Sequence, residues 1–246
     1  MNYEIIGGSF PIVECTLNNG ESMITQSGSM AYMDSTITME TSSNGGLKKI
    51  LGRMFTRENL FQNIYTSSKD GSKIAFGTCV PGNIIAIKLT GGQSIICQKS
   101  AFLASYGNVE LSTFFNKKVG VGIFGGEGFI MQKITGDGIV FIEIDGSSKE
   151  FVLEAGQQLV LSTGYLVTMD ETCTIDVHTV KGLKNIFFGG EGIFNTVVTG
   201  PGRVTVQTMP LPKLANSIYP YLPQTSSSSS SSSSGSGISF SFGGKN

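Results

Sequence analysis

Two eight-residue stretches set what this chain can become. Ile123-Phe124-Gly125-Gly126-Glu127-Gly128-Phe129-Ile130 returns 64 positions later as Phe187-Phe188-Gly189-Gly190-Glu191-Gly192-Ile193-Phe194. The offset holds without a gap well beyond the pair. Thr135-Gly136-Asp137-Gly138 falls on Thr199-Gly200-Pro201-Gly202, Gly92-Gln93 on Gly156-Gln157, Leu89 on Leu153 and Leu111 on Ile175. A constant offset of this kind means stacked or symmetric copies of one supersecondary unit. Upstream, Gly20 to Ile24 lies 72 positions before Gly92 to Ile96, and Met30, Ile37 and Met39 fall on Phe102, Val109 and Leu111 at the same offset. Glu58-Asn59-Leu60-Phe61 lies 69 positions before Glu127 to Ile130, a slip of one small loop. The chain therefore reads as three units, 1–82, 83–146 and 147–212.

The Gly-Gly-Glu-Gly turns have a backbone rationale. Consecutive glycines permit positive φ and close approach of neighbouring chain, and apolar residues flank them as where two strands meet. Gly125, Gly126, Glu127 and Gly128 form one such turn, and Gly189, Gly190, Glu191 and Gly192 its twin. Glu58, Glu127 and Glu191 recur at one place per unit. Such carboxylates either bond loop amides or converge on a pseudo-threefold axis to hold a cation. The structural role is the one adopted, with no metal or cofactor assigned.

Composition supports strands. Charged residues make up only 14% of the 246, while glycine is abundant at 33, and Ile, Val, Thr and Phe favour pleated, half-buried surfaces. The polar turn Ser67-Ser68-Lys69-Asp70-Gly71 breaks one strand region. Thr36 to Glu40 alternates with period two, so one face is buried and the other wet. Ile84 to Leu89 is a nearly continuous apolar run, with Lys149 to Leu153 as its counterpart, which predicts a strand buried between two sheets. Leu47, Ile50, Leu51, Met54 and Phe55 instead follow helical spacing, which predicts one short amphipathic helix in the first unit. Its cations, Lys48, Lys49, Arg53 and Arg57, are either solvated or a weak contact for an anionic membrane surface. From Pro212 the character changes. The nine serines of 226–234 cannot build a core, so 213–246 is expected to be a disordered tail. Ile238 to Phe242, within it, could alternatively add to a partner as an edge strand.

The catalytic sets looked for do not assemble. The single histidine, His178, has Phe114 as its counterpart and reads as a strand residue. A metal centre needs three or four donors. Gly125 to Gly128 enters a strand, not a helix, so it lacks a phosphate cradle's dipole. Asp170-Glu171 sits in a turn that points the two carboxylates apart. The expectation is no enzyme. Net charge is −1, which gives no general attraction for nucleic acid. The four cysteines show no Cys-x-x-Cys spacing and no signal segment opens the sequence, so free, mostly buried thiols and a cytoplasmic location are expected.

Several elements in order resemble the altered inheritance of mitochondria protein twenty-four family. They are Glu58 to Phe61, Gly126 to Ile130, Gly190 to Phe194, the insert after Gly45-Gly46 and the Thr-Gly-x-Gly closures, and the resemblance spans about 1–212. It implies an all-β fold of β-sandwich-like units, a shortened double-stranded β-helix similar to the tryptophan RNA-binding attenuation protein, set side by side in a ring-like arrangement. It also implies a possible mitochondrial location and a link to membrane organisation, although no presequence is evident. RNA and tryptophan binding are not carried over, because the repeats share no basic residue near the turns. The function expected is a β scaffold that associates with a protein partner or with itself. The alternative is a small-ligand binder with a pocket between units lined by Phe124, Phe129, Phe188 and Phe194.

Overall fold

The structure is a computed structural model that describes residues 1–26, 28–42, 62–117, 128–179 and 194–223. Sixteen strands and one short α-helix account for most of the described residues. The first seven are β1 (Asn2–Ile6), β2 (Ile12–Leu17), β3 (Ser22–Gln26), β4 (Met30–Met33), β5 (Ile37–Ser42), β6 (Gln62–Ser67) and β7 (Ser72–Gly77). Three long strands follow: β8 (Gly82–Gln98), β9 (Phe102–Lys117) and β10 (Phe129–Asp145). The rest are β11 (Ser148–Leu153), β12 (Gln158–Ser162), β13 (Leu166–Asp170), β14 (Thr174–Thr179), β15 (Phe194–Thr199) and β16 (Gly202–Gln207), then the helix α1 (Leu211–Ile218). The all-β class is as expected. The amphipathic segment at 47–55 lies outside the described residues, and so does the serine-rich stretch.

Among the described residues every pairing is antiparallel, in three sheets. One runs β1-β2-β7-β4, a large one runs β11-β16-β13-β8-β10-β9-β3-β6-β5, and a small one runs β12-β15-β14. The long strands hold the large sheet together by folding over. β8 passes through Gly91 and Gly92, both at positive φ, and β10 carries a bulge at Gly136–Gly138 opposite Gly107. A side chain could not occupy this corner: a Cβ on Gly136 would sit 2.0 Å from the Asn108 carbonyl oxygen. Bulges bend strands and increase their twist. Leu89, Val140 and Ile142, before or after the corner, consequently pack on Ile95, Ile134 and Leu111 in one core.

Two further cores flank that one. In the first, Val13, Leu17, Ile74 and Phe76 of the four-stranded sheet meet Met23, Tyr65, Leu103 and Phe141 of the large sheet. Tyr3 adds an edge-on ring contact to Phe141 at 5.1 Å. In the other, Val177 and Val198 of the small sheet meet Phe129, Met131, Leu166 and Val204. Each fully buried aliphatic or aromatic side chain here contributes roughly 1.5–3 kcal/mol relative to exposure.

The registers can be compared position by position. Leu89 faces Gly138, as Leu153 faces Gly202. Leu111 faces Ile134, as Ile175 faces Val198. Phe102 faces Ile142, as Leu166 faces Val206, and a register shift follows each at Ala104 and Thr168. A shift of the same kind separates Met30 and Tyr32 in β4.

Two expectations need correction. The apolar run at 84–89 and its counterpart at 149–153 are not enclosed between sheets. Ile85, Ala86 and Ile87 are half-buried, and β11 is an edge strand on which Val152 stands 71% exposed. Apolar content cannot tell an edge strand from an enclosed one, because that depends on which strand docks beside it. The ordered chain also runs past 212, because α1 begins at Leu211 and is tied to β10.

Candidate functional site

The chain closes its long strands over a cavity of about 360 Å³. Val80, Ala101, Ile130 and Leu211 supply apolar wall, and Gln98, Glu143, Asp145 and Gln207 supply polar atoms. The alternation Ile142-Glu143-Ile144-Asp145 explains the mixture: the isoleucines are fully buried in the core, so the two carboxylates share the opposite face of β10.

Both carboxylates are already engaged. The backbone N–H of Cys79 donates to Glu143 Oε1 at 2.6 Å. The N–H of Leu211 donates to Asp145 Oδ2 at 2.7 Å, which satisfies an otherwise orphaned donor at the start of α1. Gln207 Oε1 accepts from the Asp145 N–H at 3.0 Å, while its Nε2 donates to the Gly164 carbonyl at 3.0 Å. Burial pushes Glu143 above the usual carboxylate range, the charge of Asp145 adds to this, and the Cys79 and Val80 N–H groups pull the other way. Burial likewise raises Asp145, opposed by the Leu211 N–H. The Cys79 thiol at the rim is exposed. Burial of part of its surroundings raises its pKa, and so do the charges of Glu143 and Asp145. Cys15 and Cys97, buried in the cores, are both pushed up to about 12 by desolvation.

Among the described residues no cluster of three His, Cys, Asp or Glu side chains is placed to hold a metal. The cavity is a corner where carboxylates cap backbone donors.

Of the residues singled out in the sequence, Gly128 is described. It takes φ 90° just before β10 and borders the cavity. Gly125, Gly126, Glu127, Gly189, Gly190, Glu191, Gly192 and Glu58 lie outside the described residues. Phe129 is fully buried and Phe194 packs against the same core, and neither borders the cavity described above. Phe124 and Phe188 lie outside the described residues. His178 is an exposed strand residue, 3.1 Å from Asp176. Asp170 accepts from the Arg203 N–H, and Glu171 pairs with Lys133, so those two carboxylates do point apart. Sequence reasoning missed Cys79, Glu143 and Asp145. The available signal was the acidic pair at i and i+2 on an otherwise apolar strand.

The fold and the site define an all-β protein of packed antiparallel sheets whose described cavity is built from capping interactions. A family model described as mitochondrial biogenesis AIM24 matches residues 3–209, and the chain belongs to that family. An uncharacterised protein of Streptococcus pyogenes serotype M6 is 31% identical over 226 residues, covering 89% of each chain. The X-ray crystal structure of a Streptococcus pyogenes protein is similar at a TM-score of 0.72 and 27% identity, over 90% of this chain and 99% of that one. Among the described residues no helix is long and apolar enough to cross a membrane.

Proposed function

We propose that the chain is a non-enzymatic intracellular scaffold of three pseudo-repeated β units that works by associating with other proteins or with itself. The observation that carries this reading is an open sheet edge of uncommon composition. β4 ends its sheet, and all four of its residues are exposed. Met30, Tyr32 and Met33 are large apolar side chains, beside an edge that no strand among the described residues pairs. The recurring registers support the three-unit part of the reading. Free cysteines support a reducing compartment. A link to mitochondrial or membrane organisation is part of this proposal, and the family's description as mitochondrial biogenesis supports its mitochondrial half.

The test is native purification of a tagged chain from cells that also express an untagged copy, with soluble and membrane fractions kept separate. A stoichiometric protein companion, foreign or self, is expected. A chain recovered alone and monomeric from both fractions overturns the reading. So does a metabolite that raises the melting temperature by mass action as a tight ligand.

A further inference from the structure

The large sheet is held together at two junctions of one kind. β3 joins β9 with Thr25 facing Ala104, Ile24 facing Ser105 and Met23 facing Tyr106. β8 joins β13 with Cys97 facing Thr168, Ile96 facing Met169 and Ile95 facing Asp170. By the 72- and 64-residue offsets these are the same positions used twice. The strand containing Thr25 or Cys97 meets the strand containing Ala104 or Thr168 of the following unit. Carrying the positions once more leaves two strands over. β4 holds the place of β9 and β13, and β12 holds the place of β3 and the end of β8, yet among the described residues neither meets the strand that its position calls for. Both end their sheets.

Burial shows what those leftover edges lack. At the internal junctions Ile96, Met169 and Ser105 are completely buried, and Ile24 nearly so. Their counterparts are Val160, 61% exposed, and Met33, 36% exposed. Charge distinguishes the same two strands. The other strands that end a sheet each carry a charged residue of the sort that discourages pairing: Glu4 in β1, Glu40 in β5, Lys149 and Glu150 in β11, and Asp176 in β14. Met30-Ala31-Tyr32-Met33 and Gln158-Leu159-Val160-Leu161-Ser162 contain neither a charge nor a proline.

We infer that β4 of one copy pairs antiparallel with β12 of a second copy, in the register Tyr32 to Leu161, Met33 to Val160 and Asp34 to Leu159. This deepens the scaffold reading and rests on it. The contact is head-to-tail, so each copy offers one edge of each kind, and copies close into a ring or extend as a chain. Main-chain hydrogen bonds supply attraction and the alternate apolar side chains supply specificity, as in strand addition generally.

Light scattering on the full chain gives the first test. The expected mass is a multiple of 26.1 kDa, falling to the single-chain mass in Val160→Lys and in Met33→Lys, with unchanged circular dichroism. Both positions are exposed, so the fold tolerates the charge. Directly opposed antiparallel residues lie about 4.5–5.5 Å apart at Cα, within disulfide reach. In a Cys79→Ser background, a Met33→Cys chain mixed with a Val160→Cys chain is therefore expected to give a mixed disulfide on mild oxidation that neither gives alone. A single-chain mass for the unaltered protein at micromolar concentration overturns the inference. So do a failure of the lysine variants to lower the mass, and a disulfide that closes within one chain carrying both cysteines. A monomer that still retains a foreign partner on native purification rejects the second copy while leaving the scaffold reading standing. A monomer recovered alone rejects both.

Discussion

The backbone N–H of Cys79 donates to the Glu143 carboxylate over 2.6 Å, and this bond ties the segment after β7 to the end of β10. The carboxylate is buried to make it, and burial outweighs the hydrogen bonds, so Glu143 is held above its ordinary value. A raised acid binds its proton more tightly in the native chain than in the unfolded one. Stability then falls as pH rises from the ordinary carboxylate range through the folded pKa. Glu143→Gln keeps an acceptor oxygen and removes the charge. Its melting temperature should equal or exceed the parent's at pH 8, and the advantage should vanish towards pH 4. A loss of several degrees at pH 8 that disappears towards pH 4 would show that the charge, and not the oxygen, holds the segment. Asp145 shifts in the same direction, so the variant should retain part of the parent's pH slope.

The same carboxylate governs a thiol. Cys15, Cys97 and Cys173 are buried and Cys79 is exposed. Desolvation pushes Cys15 and Cys97 up to about 12, and thiol reactivity follows the thiolate fraction and access. Titration of the native protein with a disulfide reagent should show one reacting cysteine, with the others reached on unfolding. Because Glu143 and Asp145 raise the Cys79 thiol, Glu143→Gln should quicken that one reaction at neutral pH. An unchanged or slower rate would remove the electrostatic link between the two side chains.

How much of this was legible depended on how local each determinant is. The 64-residue offset was visible because paired positions such as Leu111 and Ile175 must each be apolar to face Ile134 and Val198. Gly136 and Gly138 were visible because no other residue fits against Asn108 and Tyr106. Edges were not legible. Val152 and Val160 have the composition of interior strand residues, yet both stand exposed on strands that end their sheets among the described residues. The helix at 211 was hidden for another reason. Pro210 and Pro212 read as breakers, yet proline is tolerated in a helix's first turn, where its missing N–H costs nothing. The cavity stayed invisible because its carboxylates come from one strand and their donors from segments about 65 residues away on either side.

Glycine substitutions separate the corner from ordinary turns. Gly136→Ala places a Cβ 2.0 Å from the Asn108 carbonyl oxygen at φ 141°, so backbone must move. A cost of at least about 3 kcal/mol in urea unfolding is expected. Gly20→Ala sits at φ 81° with nothing within 4 Å, so it should lose only the left-handed penalty of about 1–2 kcal/mol. Equal losses at the two positions would mean that close strand approach at Gly136 contributes nothing beyond its dihedral.

The start of α1 is held by a carboxylate acceptor on β10. Asp145 Oδ2 takes the Leu211 N–H at 2.7 Å, and none of the helix's residues is buried. A short helix with no buried face holds only through its ends. Besides this cap, Lys213 reaches the Tyr165 hydroxyl at 2.6 Å. Asp145→Ala should cost about 1 kcal/mol, the usual value of a lost helix cap. The cost should appear locally, as faster amide hydrogen exchange across 213–218 with exchange in β10 unchanged. Asp145→Asn keeps an acceptor oxygen and should recover most of the protection. Uniform acceleration over both α1 and β10 in the alanine variant would instead place Asp145 in the support of the sheet, and the helix would then follow the sheet rather than the cap.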